Sequence, residues 1–354
     1  MYKYTHFIKE NVAPAKADKI GVYSKSSGNK VGTIPLGKLK QAEGNKLYSF
    51  MALSDVHVQY DTASDDLIRA LNFAEANCDF VCICGDLTDT AAVESQLVDY
   101  KNIITTSKIS KPVYAIAGNH ENYNGYSDKY LATYTGQPLY YSFSIGNDVF
   151  IMVGHFGAYA GDGIGWLSTD FISVEELQWL YETLETNRNK RCFIFNHVFP
   201  SEHKVGNPND FYTSVLPWKT TDNFIGQAYI NLLRHYKNTL LFHGHSHARF
   251  SLQEKEKTSN YSDANGYRSI HIPSLAIPRD IIDNSRTEIY AESEGYIVDV
   301  YDNYIILNGR DFIDNQADGN ILPIATYKID TEIIEIEANT FTDDTNIIIT
   351  NKNN

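Results

Sequence analysis

From Lys46 onward, short apolar runs alternate with amphipathic stretches, the pattern of β and α units in a mostly parallel sheet. Residues 48–53 read as the first strand. Ser64 is placed to cap a helix, with Asp65 and Asp66 in its first turn and Leu67, Ile68, Leu71 and Ala74 on one face. A buried strand at 80–84, a helix at 91–106 and a strand at 112–117 follow. Further strands are predicted at 149–153, 192–195 and 239–242. Between them lie a helix opening on the capping box Ser173-Val174-Glu175-Glu176 and another over 223–236. Residues 269–273 and a hairpin turning at Asp302-Asn303 add antiparallel strands.

The pattern is different at both ends. Ile20-Gly21-Val22-Tyr23 and Val31-Gly32-Thr33-Ile34 flank Ser26-Ser27-Gly28-Asn29, which predicts a hairpin in a segment with few large apolar residues. Glu332-Ile333-Ile334-Glu335-Ile336 and Asn346-Ile347-Ile348-Ile349 predict another, whose isoleucines need a cover. The organisation expected is an arm over 1–45, a main α/β domain over 46–310 and a β-rich tail over 311–354. Residues 199–221, with Pro200, Pro208 and Pro217, read as a long loop of the kind that serves as a lid or binding loop. No repeat period or low-complexity tract interrupts this plan.

Composition narrows the function classes. A chain of 354 residues has ample material for a core, and its formal charge of −14 repels nucleic acid and anionic membranes at long range. Bound divalent cations can invert such a field locally, so acidity argues against a nucleic-acid-coating protein and not against a phosphate substrate. Cys78, Cys82, Cys84 and Cys192 form no CxxC pair or disulfide framework, and buried thiols in a reducing compartment are expected. The start lacks a secretory signature and no apolar run is long enough to span a bilayer, so a soluble cytoplasmic protein is expected.

The candidate chemistry lies just past the strands. Asp55-Val56-His57, Gly85-Asp86-Leu87-Thr88-Asp89, Gly118-Asn119-His120-Glu121, Asn196-His197 and Gly244-His245-Ser246-His247 each follow an apolar run, where open α/β sheets gather their ligand crevice. Carboxylate, imidazole and amide oxygen without thiolate suit Mn, Fe or Zn. Two metals about 3.5 to 4 Å apart need a bridging ligand, and Asp86 is the natural candidate. A hydroxide between the ions would be the nucleophile, and His120 could stabilise or protonate the leaving alkoxide, with Glu121 orienting its imidazole.

Singly, each segment reads as a turn with a helix cap. Together and in this order they resemble the complete motif series of the calcineurin-like metallophosphoesterases, over roughly residues 47–310. The resemblance implies an α/β fold, a four-layer sandwich of two mixed β-sheets flanked by helices. It implies that Asp55, His57 and His247 hold a first metal, that Asp86 bridges, and that Asn119, His197 and His245 hold a second. Leu53-Ser54-Asp55 and the segment ending at Asp89 are most similar to the cyclic-nucleotide-phosphodiesterase-like branch. Purple acid phosphatases place a metal-binding tyrosine where this chain has Asp89, and Glu121 replaces the commoner aspartate.

The function expected is a two-metal phosphoesterase acting on a small ester, on diesters more than monoesters, with no membrane or nucleic-acid partner. A monoesterase or a single-strand nuclease is the rival within the enzyme class. A structural role is the rival outside it, in which the terminal hairpins pair with another chain in a homo-oligomer or a phage particle. Of the other residues, His243 is expected on the opposite strand face, Asp89 as a loop carboxylate, and His155 and His203 beside the site or solvated. Tyr123, Tyr126, Tyr159, Phe199, Tyr212 and Trp218 either wall a pocket or pack. Gly161-Asp162-Gly163-Ile164-Gly165 reads as a turn and not as a phosphate-cradling loop.

Overall fold

Alternation along the strands decides the layers. The computed structural model describes residues 19–23, 30–35, 45–89, 93–122, 127–154, 172–198, 224–252, 260–282, 285–313 and 320–331. The chain forms two compact units, 1–45 and 46–354. The first contains an antiparallel pair, β1 (Lys19–Tyr23) and β2 (Lys30–Pro35), with Ile20 opposite Ile34.

The second unit is built on two six-stranded mixed sheets. In one, β3 (Lys46–Leu53), β4 (Phe80–Cys84) and β5 (Val113–Ile116) run parallel. In the other, β6 (Tyr141–Ile145) pairs antiparallel with β7 (Asp148–Val153), which runs parallel to β8 (Cys192–Asn196) and β9 (Thr239–His243). The short strands β10 (Tyr261–Ser262) and β11 (Ser269–His271) complete that sheet beyond β9. A small ribbon of β12 (Arg279–Ile282) and β13 (Ser285–Glu288) follows. The hairpin β14 (Glu294–Tyr301) and β15 (Tyr304–Asp311) then returns to the first sheet beside β3, and β16 (Asn320–Asp330) forms its edge. The described part of the stretch read as a tail from 311 thus closes the main sheet, and the hairpin expected over 332–349 lies outside the described residues.

Phe50, Phe80, Cys82 and Cys84 point inward from the first sheet and meet Phe150, Met152, Phe193, Phe195, Leu240 and Phe242 from the second. The rings interlock edge to face, as in Phe50 against Phe150 at 5.2 Å and 88°. The alternate residues Met51, Leu53, Val81 and Ile83 face outward beneath α1 (Ala63–Asn77) and α2 (Val93–Thr106). On the far side Val149, Ile151, Ile194 and Leu241 pack under α4 (Val174–Thr186) and α5 (Phe224–His235). The short α3 (Ser127–Thr135) lies against α2 and β5. Each buried leucine or phenylalanine contributes about 1.5–3 kcal/mol, which makes this helix–sheet–sheet–helix stack the main source of stability.

The local signals hold with one displacement. Ser173 caps α4 through its Oγ, which accepts from the Glu176 amide at 3.0 Å. The first helix instead starts from Thr62, not Ser64, because the turn after His57 is already closed by Tyr60 N–H to His57 O and Ala63 N–H to Tyr60 O. All four cysteines are buried and free. Among the described residues no helix is long and apolar enough to cross a membrane.

Candidate metal centre

Each parallel strand ends in a loop that carries candidate ligands, and the loops are laced together by their backbones. Asp55 donates its amide to Gly85 O at 3.1 Å, His57 to Asp86 O at 2.9 Å, and Gly244 to His197 O at 3.0 Å. Across the mouth of the sandwich, the His245 amide donates to Asp55 Oδ2 and His197 Nδ1 to Cys84 O, which sets the ends of β3 and β4 against those of β8 and β9. Asp55, His57, Asp86, His245 and His247 all have positive φ, from 46° to 70°. Left-handed backbone at non-glycine residues costs roughly 1–3 kcal/mol each and persists where the surroundings over-determine it. Two glycines make the close approach: a Cβ on Gly118 would fall on the Asp86 carboxylate, and one on Gly244 on the Ser54 hydroxyl.

Two of the groups that the donor atoms form share Asp86. Asp55, His57, Asp86 and His247 bring one atom each to within 4.8 Å of one another, and so do Asp86, His197 and His245. His247 Nε2 is 3.0 Å from Asp55 Oδ1 and 3.2 Å from His57 Nε2, and His197 Nε2 is 3.0 Å from Asp86 Oδ2. Each carboxylate commits one oxygen to the backbone: Asp55 Oδ2 accepts from the His245 amide and Asp86 Oδ1 from the His120 amide, both at 3.0 Å. The other oxygens, Asp55 Oδ1 and Asp86 Oδ2, and His197 Nε2 are buried with no hydrogen-bond partner among the described residues. A carbonyl can only accept, so Cys84 O at 2.6 Å and Ile277 O at 3.1 Å place the protons of His197 and His247 on Nδ1. Both Nε2 lone pairs then face the cluster. Anionic oxygens and imidazole lone pairs, buried without donors, fit two divalent cations. Asn119 is buried between Gly118, which closes on Asp86, and His120, whose amide holds it.

The electrostatics agree with that fit except at His197, which without a cation keeps a second proton that a metal ion would have to displace. Burial pushes His57 and His247 below the ordinary imidazole range and His245 down to about 3, keeping them neutral. Burial would raise Asp55 and Asp86, but the surrounding imidazoles, His247 and His197 foremost, hold both well below the usual carboxylate range. Burial also works against a charge on His197, yet Asp86 and Asp55 outweigh it and raise that imidazole to about 9.

His120 stands on the open side of the cluster at 20% exposure, with Nε2 3.7 Å from Asp86 Oδ2. Its Nδ1–H donates to the backbone carbonyl of Asp89 at 2.6 Å. The expectation that Glu121 orients this ring is not met. Glu121 accepts from the Thr88 amide at 2.7 Å, the Thr88 hydroxyl at 2.9 Å and the Gly118 amide at 2.7 Å. Buried completely, it clasps the second ligand loop to the third, and with three donors to satisfy it has no oxygen turned to the imidazole.

Sequence reasoning missed four other contributors. Asp89, set aside as a loop carboxylate, brings Oδ1 to 3.6 Å from His57 Nδ1 and closes a group with His57 and His120. Behind the last ligand loop, Ser246 Oγ meets His271 Nε2 at 2.6 Å, and His271 Nδ1 accepts from the Asn260 amide at 3.0 Å. These three are buried, and the signal for Ser246 was its place between two ligand histidines. His243 is buried against His271 with ring centroids 5.5 Å apart. His155, His203, the glycine-rich turn at 161–165, the loop 199–221 and its aromatic residues, Tyr123, Tyr126 and Tyr159 lie outside the described residues.

The sequence profile of the calcineurin-like phosphoesterase family matches residues 48–249, more than half of the chain. No curated protein matches the chain in sequence. Among solved structures, a purple acid phosphatase from yellow lupin seeds has 14% identity and a TM-score of 0.51, covering 80% of this chain and 54% of its own length. GAP50, the anchor in the inner membrane complex of Plasmodium, has 12% identity and a TM-score of 0.52, covering 85% and 93%. At such identity the likeness is one of fold, and this chain spans about half the length of the lupin enzyme.

Proposed function

Because the chain belongs to the calcineurin-like phosphoesterase family, and hence to the metal-dependent phosphoester hydrolases, we propose that it is a phosphodiesterase acting on a small ester. The observation that carries the reading is the shared position of Asp86 in two donor groups in which Asp55 Oδ1, Asp86 Oδ2 and His197 Nε2 are buried with no hydrogen-bond partner among the described residues. Asp55, His57 and His247 would hold one ion and Asn119, His197 and His245 the other, with Mn, Fe or Zn matching the donor set. Two such ions supply Lewis acidity for the phosphoryl oxygens and a water of lowered pKa.

The protein's own part in the chemistry falls to His120. With its Nδ1–H fixed on Asp89 O, Nε2 is the ring atom that would hold a proton toward the leaving oxygen. Asp89 sets the ring and Glu121 holds the two loops that carry the ring and Asp86 in register. A diester has one charge fewer than a monoester and so meets less repulsion from the carboxylates of the site, and an acid at this place would assist departure of its alkoxide. The acidic chain, at −14, weighs against long nucleic acids as substrate.

The test is the initial rate of Mn(II)-reloaded protein on bis(p-nitrophenyl) phosphate and on p-nitrophenyl phosphate. Faster diester cleavage, reduced about 100-fold or more in His120→Ala, is expected for a lost general acid. A faster monoester reaction, or a variant as active as the parent, would contradict the assignment.

A further inference from the structure

Arg249, just past the last ligand loop, and Arg279, on the ribbon that bridges to that loop at Ala248, are satisfied very differently. Arg249 is saturated: its guanidinium takes Asp280 through two bonds, 2.7 and 3.0 Å, and Glu292 at 2.5 Å. Arg279, at the start of β12, has one stretched pair, Nη2 to Glu288 Oε1 at 3.4 Å. Its Nε is buried with no hydrogen-bond partner among the described residues, although the side chain as a whole is only 16% exposed. A guanidinium has five donors and cannot shed its proton, so a partly desolvated one with most donors unused has capacity for an anion.

Its surroundings keep it in that state. Glu288 Oε2 is taken by the hydroxyls of Tyr60, at 3.0 Å, and Tyr290, leaving only Oε1 toward the arginine. The Arg279 amide donates to His247 O at 2.7 Å, so the residue is tied to the ligand loop itself.

We propose that Arg279 is a substrate-binding residue that grips an anionic oxygen of the phosphoryl group held at the metal centre. This rests on the phosphoesterase reading of that centre. Asp55, Asp86 and Asp89 put three carboxylates at the site, and a fork-shaped cation at its rim adds attraction for a phosphoryl oxygen and selects tetrahedral oxyanions over simple halides. Glu288 acts as the internal counter-ion that the substrate displaces.

The experiment titrates inorganic phosphate into Mn(II)-loaded protein by calorimetry, with metal content measured on each sample. Arg279→Ala is expected to weaken phosphate binding about tenfold or more with two metals retained, and Arg279→Lys to recover part of the loss. Glu288→Gln is expected to tighten it, and the gain to vanish in the double variant, a sign reversal that a scaffold role for Arg279 would not produce. The same order should appear in KM for bis(p-nitrophenyl) phosphate, with kcat less affected. Unchanged phosphate affinity in Arg279→Ala, or loss of metal in proportion to loss of phosphate, would overturn the assignment of Arg279 while leaving the phosphoesterase reading intact. Absence of phosphate binding by the metal-loaded parent would overturn both, and hydrolysis of neither ester would mark the reading of the site as the failure.

Discussion

His197 shows how much one side chain carries. Burial opposes its charge, but Asp86 and Asp55 raise it to about 9, above the ordinary imidazole value of 6.5. In the metal-free protein the protonated pair with Asp86 therefore adds stability that is fully present below pH 6.5 and is lost as pH rises through about 9. A divalent ion needs the neutral imidazole, so the same proton competes with it. Apparent Mn(II) affinity, measured by chelator competition, is expected to rise steeply from pH 6.5 to 8.5 with a proton released on binding. A flat profile would contradict the raised value. The clustered aspartates and histidines were legible because carboxylates and imidazoles just past apolar runs have few other reasons to recur five times. Ser246, His271 and Asn260 were not, since serine, histidine and asparagine at irregular spacing acquire meaning only once β11 is laid beside β9. The role given to Glu121 failed for a related reason: adjacency in sequence to His120 did not fix which way its carboxylate turns.

At the scale of elements, the loops matter more than the helices or strands that carry them. The backbone bonds from the first ligand loop to the second, and the Glu121 clasp from the second to the third, hold residues with positive φ in place. Gly118 is where this assembly has no room. In Gly118→Ala the new methyl meets the Asp86 carboxylate, so metal content is expected to fall well below two per chain while stability drops by about 1–3 kcal/mol. Retention of both ions at parental affinity would show that the loops yield more than the packing implies. Strand positions were readable from their apolar runs, and the capping box placed α4. The start of α1 moved to Thr62 because hydrogen bonds from the metal loop close the turn earlier than the Ser64 signal alone would.

For the whole molecule, the alternation of inward and outward residues on β3, β4, β7, β8 and β9 made two sheets with four layers the natural arrangement, and the family motifs set their order. What the sequence left hidden is the clamp at the opposite end from the metals. Arg191 takes both oxygens of Asp148, at 3.0 and 2.6 Å, and also Tyr301 O and Thr331 Oγ1, while Tyr48 OH donates to Asp148 at 2.5 Å. This joins the second sheet to the first at residues far apart in sequence. Removing Arg191 strands a buried carboxylate, so Arg191→Met is expected to lose about 3–5 kcal/mol in urea unfolding, and a loss under 1 kcal/mol would show the pair to be incidental. The two sheets meet in function at Asp86, which both donor groups share. The most direct test of that claim is electron paramagnetic resonance of the protein loaded with two equivalents of Mn(II). An exchange-coupled two-ion signal that gives way to isolated Mn(II) in Asp86→Asn is the result predicted. Isolated ions in the parent, or coupling that survives the substitution, would contradict a centre bridged by Asp86.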